Sequence, residues 1–125
     1  MVKRSGTGQP DFIRLGYKIW LEKDKAILGA GLFKLLSQIL GLGSISQAAK
    51  VMGMSYRAAW GKIKMAEKRL GIPLVITQVG GEMGGGARLT PEAEELLNKF
   101  DRLWREVDNF AESSFKEIFK GWTGP

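Results

Sequence analysis

Five cations, Arg57, Lys62, Lys64, Lys68 and Arg69, fall within one short stretch of this chain, and Glu67 is the only acid among them. At helical pitch Arg57, Gly61, Lys64 and Lys68 share a face, flanked by Ala58, Lys62, Met65 and Arg69. Tyr56, Ala59, Trp60, Ile63, Ala66 and Leu70 recur at spacings of three and four and form the apolar stripe opposite. A helix that needs only solubility mixes its charges through i to i+4 pairs. A face of one sign suits a polyanion, from which bound cations displace condensed counterions. Gly61 costs about 1 kcal/mol of helix propensity relative to Ala, and a bare backbone on a cationic face permits close approach to a phosphate or a base edge. The plain alternative is a solvated charged face with an incidental glycine.

Other chemistry is scarce. The 125 residues contain no Cys and no His, which excludes disulfides, thiolate zinc sites and imidazole catalysis. The acids cluster toward the C-terminus at solvent-facing helical spacings, so no enzyme and no metal site is expected. Net charge is +6 and uneven: residues 1–43 carry 7 cations and 3 anions, residues 44–90 carry 7 and 2, and residues 91–125 carry 5 and 8. Basic charge therefore precedes an acidic final segment, as in a polyanion-binding body on a neutral scaffold. Met1 to Pro10 has no apolar signal-peptide core, and no apolar run approaches the roughly 20 residues of a membrane span. The expectation is a cytoplasmic protein with no membrane partner.

The basic face has to be held by neighbouring elements. Gly43 to Leu70 (GSISQAAKVMGMSYRAAWGKIKMAEKRL) predicts two short helices joined by a tight glycine turn. Ser46 is the expected N-cap of the first, Gly53 its stop, and Ser55 the N-cap of the second, which runs from about Tyr56 to Leu70. Ala48 and Ala49 are small enough to let the two helices pack closely. Upstream, Leu15 to Glu22 alternates, with Leu15, Tyr17, Ile19 and Leu21 on one side and Lys18, Trp20 and Glu22 on the other. This predicts a half-buried strand, with Trp20 packed under its neighbour rather than exposed at an interface. Lys23 to Lys25 would turn into a return strand over Ala26 to Leu28. Gly29 and Gly31 then break the strand, and Leu32 to Leu42 reads as a buried helix ended by Gly41 and Gly43.

Downstream, Leu74 to Val79 is a strand by β-branched content, Gly80 to Gly86 (GGEMGGG) a flexible tip, and Ala87 to Leu89 a return strand. Thr90 and Pro91 are the N-cap and first residue of a helix. Strand, glycine tip and strand make a β-wing behind the basic helix. The tip lacks the Gly-Lys-Ser/Thr ending of a nucleotide-phosphate loop; a loop without a partner is the alternative.

Pro91 to about Lys120 is helical in pattern, with an apolar stripe too long for one small winged domain to cover. Leu97, Trp104, Ala111 and Ile118 recur every seven residues, as do Ala93, Phe100 and Val107. The expected partner is the same helix of a second subunit, through Leu97, Phe100, Trp104, Val107, Ala111 and Ile118; the alternative folds the helix back on its own domain. A two-fold homodimer would present two basic helices to a pseudo-palindromic site. The expected organisation is a disordered basic arm over 1–11, a winged helix-turn-helix over 12–90, a dimerisation helix over 91–120 and a tail over 121–125. The fold class is mainly α with small β-hairpins.

Three stretches, LGYKIWLEKDKAILGAG (15–31), GSISQAAKVMGMSYRAAWGKI (43–63) and GGARLTPE (85–92), resemble the N-terminal DNA-binding domain of ModE-type molybdate-responsive transcriptional regulators, relatives of the LysR-type winged helix-turn-helix domains. The resemblance covers roughly residues 13–110. It implies a dimer built largely through the long C-terminal helix, with Ser55, Tyr56, Arg57 and neighbouring cations at double-stranded DNA and the glycine wing beside them. Full-length members continue into a molybdate-binding region of small β-barrels that these 125 residues do not include; a stand-alone regulator and a regulator with its sensor on a separate protein are the two expectations. The full expected DNA-facing set is Ser46, Gln47, Ser55, Tyr56, Arg57, Lys62, Lys64, Lys68, Gly84, Gly85 and Arg88. Arg57 is the candidate base reader, whereas Lys62, Lys64, Lys68, Arg69 and Arg88 are candidate phosphate ligands. No cofactor is expected, although the loop N–H groups near Arg88 could hold a molybdate or tungstate oxyanion. The expected function is sequence-specific transcriptional regulation, with genes of molybdate or tungstate metabolism as the implied targets. A winged-helix module that binds protein instead of DNA is the alternative.

Overall fold

The computed structural model describes residues 13–78 and 86–125, together with the backbone of Lys3–Arg4. The expected disordered arm over 1–11 lies, apart from that backbone, outside the described residues, as do Val79 to Gly85, the expected wing tip. The chain divides into two compact units, one spanning Trp20–Asn98 and the other joining Met1–Ile19 with Lys99–Pro125.

In the first unit the elements run β3 (Leu21–Lys23), β4 (Lys25–Leu28), α1 (Ala30–Leu42), α2 (Ile45–Met52), α3 (Tyr56–Leu70), β5 (Val75–Gln78), β6 (Gly86–Leu89) and the first turns of α4 (Pro91–Ile118). Strands β1 (Lys3–Arg4) and β2 (Gly16–Tyr17) belong to the other unit. The alternation predicted over Leu15 to Glu22 survives in burial, with Leu15, Tyr17, Ile19 and Leu21 half-buried between exposed neighbours, but strand pairing is confined to 16–17 and 21–23. Trp20 is 52% exposed, contrary to the packing expected of it, and its indole N–H donates to Glu22 at 3.0 Å. Asp24 turns β3 into β4 at φ 65.

Helix α1 begins at Ala30 and passes through Gly31 and Gly41; Gly43 alone ends it, with φ 71 and its N–H donating to the Ile39 carbonyl at 2.8 Å. The cap of α2 is Ser44, whose hydroxyl accepts the Gln47 N–H at 3.1 Å, and not Ser46. Capping two residues earlier puts Ile45 at the first helical position, where it is buried in the core. Gly53 and Ser55 act as predicted, Gly53 at φ 72 and Ser55 accepting from Ala58 N–H at 3.0 Å. Helix α3 has the predicted bounds.

The core of this unit gathers Leu35, Leu36 and Ile39 of α1, Ile45, Ala48 and Ala49 of α2, Ala59, Ile63 and Ala66 of α3, Leu74, Val75, Ala87 and Leu89 at the hairpin, and Ala93 and Leu97 of α4. The hairpin pairs Val75 with Leu89, Ile76 with Arg88, Thr77 with Ala87 and Gln78 with Gly86. It docks on the end of α1 through Ala87 N–H, which donates to the Gly43 carbonyl at 2.9 Å. A methyl on Gly86 would stand 3.3 Å from that same carbonyl oxygen, so the glycine permits the approach. Thr90 caps α4 as predicted, accepting from Ala93 N–H at 3.1 Å and donating to the Pro73 carbonyl at 3.0 Å.

In the second unit, β1 and β2 pair antiparallel, and the long stretch of α4 carries edge-on Phe100 and Trp104 rings and a tilted Phe115 and Phe119 pair. Trp122 closes on Phe119. The helix ends at Ile118, two residues short of the expected Lys120.

Candidate nucleic-acid interface

The buried stripe of α3 is Ala59, Ile63 and Ala66, with Trp60 and Leu70 half-buried at its margins. Tyr56 departs from the prediction. It lies one turn beyond Ala59, is 50% exposed, and stacks on the Trp60 ring at a centroid distance of 6.3 Å. Arg57 and Lys68 are exposed opposite the stripe and Lys62 at its flank, as is Arg88 on β6; none of the four forms an ion pair or side-chain hydrogen bond among the described residues. Four cations unpaired among the described residues can exchange water and counterions for a polyanion.

Ser46 and Gln47 are exposed in the first turn of α2, and Ser55, Tyr56 and Arg57 are exposed where α3 begins. The Ser55 oxygen already accepts from Ala58, which leaves its O–H free to donate. A methyl group placed on Gly61 would meet nothing within 4 Å, so no packing inside the chain requires glycine there. Gly61 lies in an open groove of about 610 Å³, where Ala58, Lys62, Met65 and Arg69 of α3 face Ala26, Ile27 and Leu32. Gly84 and Gly85, and the loop considered as an oxyanion cradle, lie outside the described residues.

Two expected phosphate ligands are already engaged. Arg69 donates to the Ala26 carbonyl and ties α3 to β4. Lys64 Nζ sits 3.0 Å from Glu67 Oε1 and 4.4 Å from the centroid of the Trp60 ring. Glu67 is a site residue outside the expected set, and its signal in the sequence is a lone acid three residues after a lysine. Its other oxygen accepts the backbone N–H groups of Leu74 at 2.7 Å and Val75 at 3.2 Å. Burial pushes the Glu67 carboxyl up, but the Leu74 N–H, the Lys64 ammonium and the Val75 N–H outweigh it and hold the group below its ordinary value.

The expected dimerisation residues divide by exposure. Leu97 and Phe100 are covered within the chain, Trp104, Val107 and Ala111 are half-buried, and Ile118 is 74% exposed. Leu103 and Phe110, outside the predicted seam, are exposed, Phe110 at 73%. Among the described residues no cluster of three or more His, Cys, Asp or Glu could hold a metal ion, and no helix is long and apolar enough to cross a membrane.

A three-helix unit whose second and third helices meet at Gly53, followed by an antiparallel hairpin, is a winged helix-turn-helix. Residues 31–94 match the bacterial regulatory helix-turn-helix proteins of the lysR family, and the chain belongs to that family. It is 36% identical over 111 residues to the molybdenum-pterin-binding protein MopB of Rhodobacter capsulatus, covering 89% of this chain and 41% of that one. It is 43% identical over 76 residues to the transcriptional regulator ModE of Haemophilus influenzae, covering 61% of this chain and 30% of the relative. The chain thus spans about two fifths or less of the length of these relatives. The structure of ArgP from Mycobacterium tuberculosis shares the fold, with a TM-score of 0.50 at 23% identity over 68% of this chain and 30% of that one. The ModE-like resemblance drawn from the three sequence stretches therefore stands.

Proposed function

We propose that this protein is a sequence-specific regulator of transcription that lays α3 in the major groove of double-stranded DNA. The observation that carries the reading is the set of exposed cations Arg57, Lys62 and Lys68 on a helix-turn-helix, with Arg88 on the adjoining hairpin, none of them paired among the described residues. Arg57, near the start of α3, reads a base edge, and its guanidinium is matched to the two acceptors of guanine. Lys62, Lys68 and Arg88 grip phosphates, supported by hydroxyls at Ser46, Ser55 and Tyr56 and the Gln47 amide.

The relatives' names, a molybdenum-pterin-binding protein and ModE, support genes of molybdate or tungstate metabolism as the targets. The protein acts in the cytoplasm as a homodimer on a pseudo-palindromic site, joined through α4. Selection of bound duplexes from a random-sequence pool tests the reading. Enrichment of a two-fold motif is expected, and Arg57→Ala should relax base choice at one position per half-site while binding to random duplex changes little. Recovery of no motif, or equal losses on selected and random duplex, would overturn the assignment.

A further inference from the structure

Glu67 spends both carboxylate oxygens inside the protein. Oε2 receives the N–H groups of Leu74 and Val75, and Oε1 receives the ammonium of Lys64. Leu74 is fully buried and Val75 nearly so, and with only 12% of the Glu67 side chain exposed these bonds are shielded from water. Val75 opens β5, and one residue further on Ile76 pairs with Arg88 across the hairpin. The carboxylate therefore sets where the hairpin leaves α3, and with it where Arg88 stands relative to the cations of α3. Along the same edge of the helix, Tyr56 stacks on Trp60, Trp60 lies under Lys64, and Lys64 reaches Glu67. One row of side chains thus runs from the DNA-reading end of α3 to the root of the wing.

We propose that Glu67 is a positioning residue for DNA binding, bracing the wing root against α3, and that Lys64 is its counter-charge rather than a phosphate ligand. This rests on the duplex-binding reading above. A buried carboxylate needs a cation beside it. The Lys64 side chain stays about half exposed, but its ammonium is engaged by Glu67 and the Trp60 ring, so Lys64 acts on DNA through the wing.

The test titrates labelled duplex, one selected by the wild-type protein from a random pool and one of random sequence, over a salt series with wild type, Lys64→Gln and Glu67→Gln. Amide hydrogen exchange at Leu74 and Val75 is followed in the DNA-free proteins. Glu67→Gln is expected to speed exchange of both amides and to weaken selected-duplex binding, each by about tenfold, as loss of one charge-assisted hydrogen bond implies. Random-duplex binding should weaken by a similar factor, because the Arg88 that the brace places grips phosphate and not a base edge, and Lys64→Gln should keep the wild-type salt slope. A slope shallower by about one unit in Lys64→Gln would make it a phosphate ligand and overturn its assignment. Wild-type exchange and affinity in Glu67→Gln would overturn the brace. Should Glu67→Gln not fold, Glu67→Asp, one methylene shorter, is read by the same criteria. Wild-type protein that binds neither duplex would sink the DNA reading and the positioning role together, whereas unchanged exchange alone sinks only the brace.

Discussion

The Tyr17 hydroxyl donates to the Asp108 carboxylate at 2.5 Å, across 91 residues of chain, and so ties the N-terminal strand to the acidic face of α4. Burial, then the hydrogen bond and charge of Asp108, then the charge of Glu112, push the phenol well above its ordinary value. The folded state thus holds the Tyr17 proton more tightly than the unfolded chain does. The associated stability is fully present below pH 10 and is lost as pH rises beyond it. Tyr17→Phe should cost about 1 to 2 kcal/mol at neutral pH, and the gap should narrow above pH 10; urea unfolding at both pH values measures it. A gap that widens with pH would contradict the assignment.

Glu67 has the opposite linkage. Its folded carboxyl titrates below the ordinary 4.5, so its stabilisation is present above that value and disappears as pH falls through the lower folded value. Melting temperatures of wild type and Glu67→Gln should therefore converge between neutral pH and strongly acidic pH. Parallel curves would show that the carboxylate charge contributes nothing to the fold.

Gly61 separates stability from function. With open space around the position, Gly61→Ala should stabilise α3 by roughly 0.5 to 1 kcal/mol. The added methyl would also stand between the helix and a groove floor, so duplex affinity should fall while Tm rises. A variant that gains stability and keeps full affinity would mean that no close approach occurs there.

Along α4 the exposed apolar positions Leu103, Phe110 and Ile118 lie in line with half-buried Val107 and Ser114 at spacings of four and three. In the proposed homodimer these positions would form a seam turned one step from the one that heptad counting selects. Phe110→Glu should weaken the proposed homodimer by tenfold or more, since burial of a charge without a partner opposes association. Sedimentation equilibrium checks this, and an unchanged association constant would move the interface elsewhere.

Local signals were legible wherever one residue type had one job. Ser55 and Gly71 bracket α3 because no competing cap or stop lies nearby, and Gly53 and Thr90 are equally unambiguous. Ser44 and Ser46 flank Ile45, and only the core, by taking Ile45, chooses between them. Gly41 and Gly43 posed the same ambiguity, resolved by the left-handed turn that lets β6 dock at Gly43. Charge counting found the basic face but not the partners acquired on folding. Arg69 is claimed by Ala26, 43 residues away, and Glu67 is turned inward by amides that face it only once the chain has turned past Pro73. Heptad counting along α4 has the same blind spot, because it does not show that Leu97 and Phe100 are covered by the chain's own fold.

The central claim is that α3 and its wing grip duplex DNA by charge and choose it by sequence. Equilibrium binding of the wild-type protein to a selected and a random duplex across a salt series tests both halves together. The selected duplex should bind tighter by on the order of 10³. Affinity for both should fall steeply with salt, and Lys68→Ala should make the slope shallower by about 0.9. Equal affinities with a salt-independent binding constant would contradict the account.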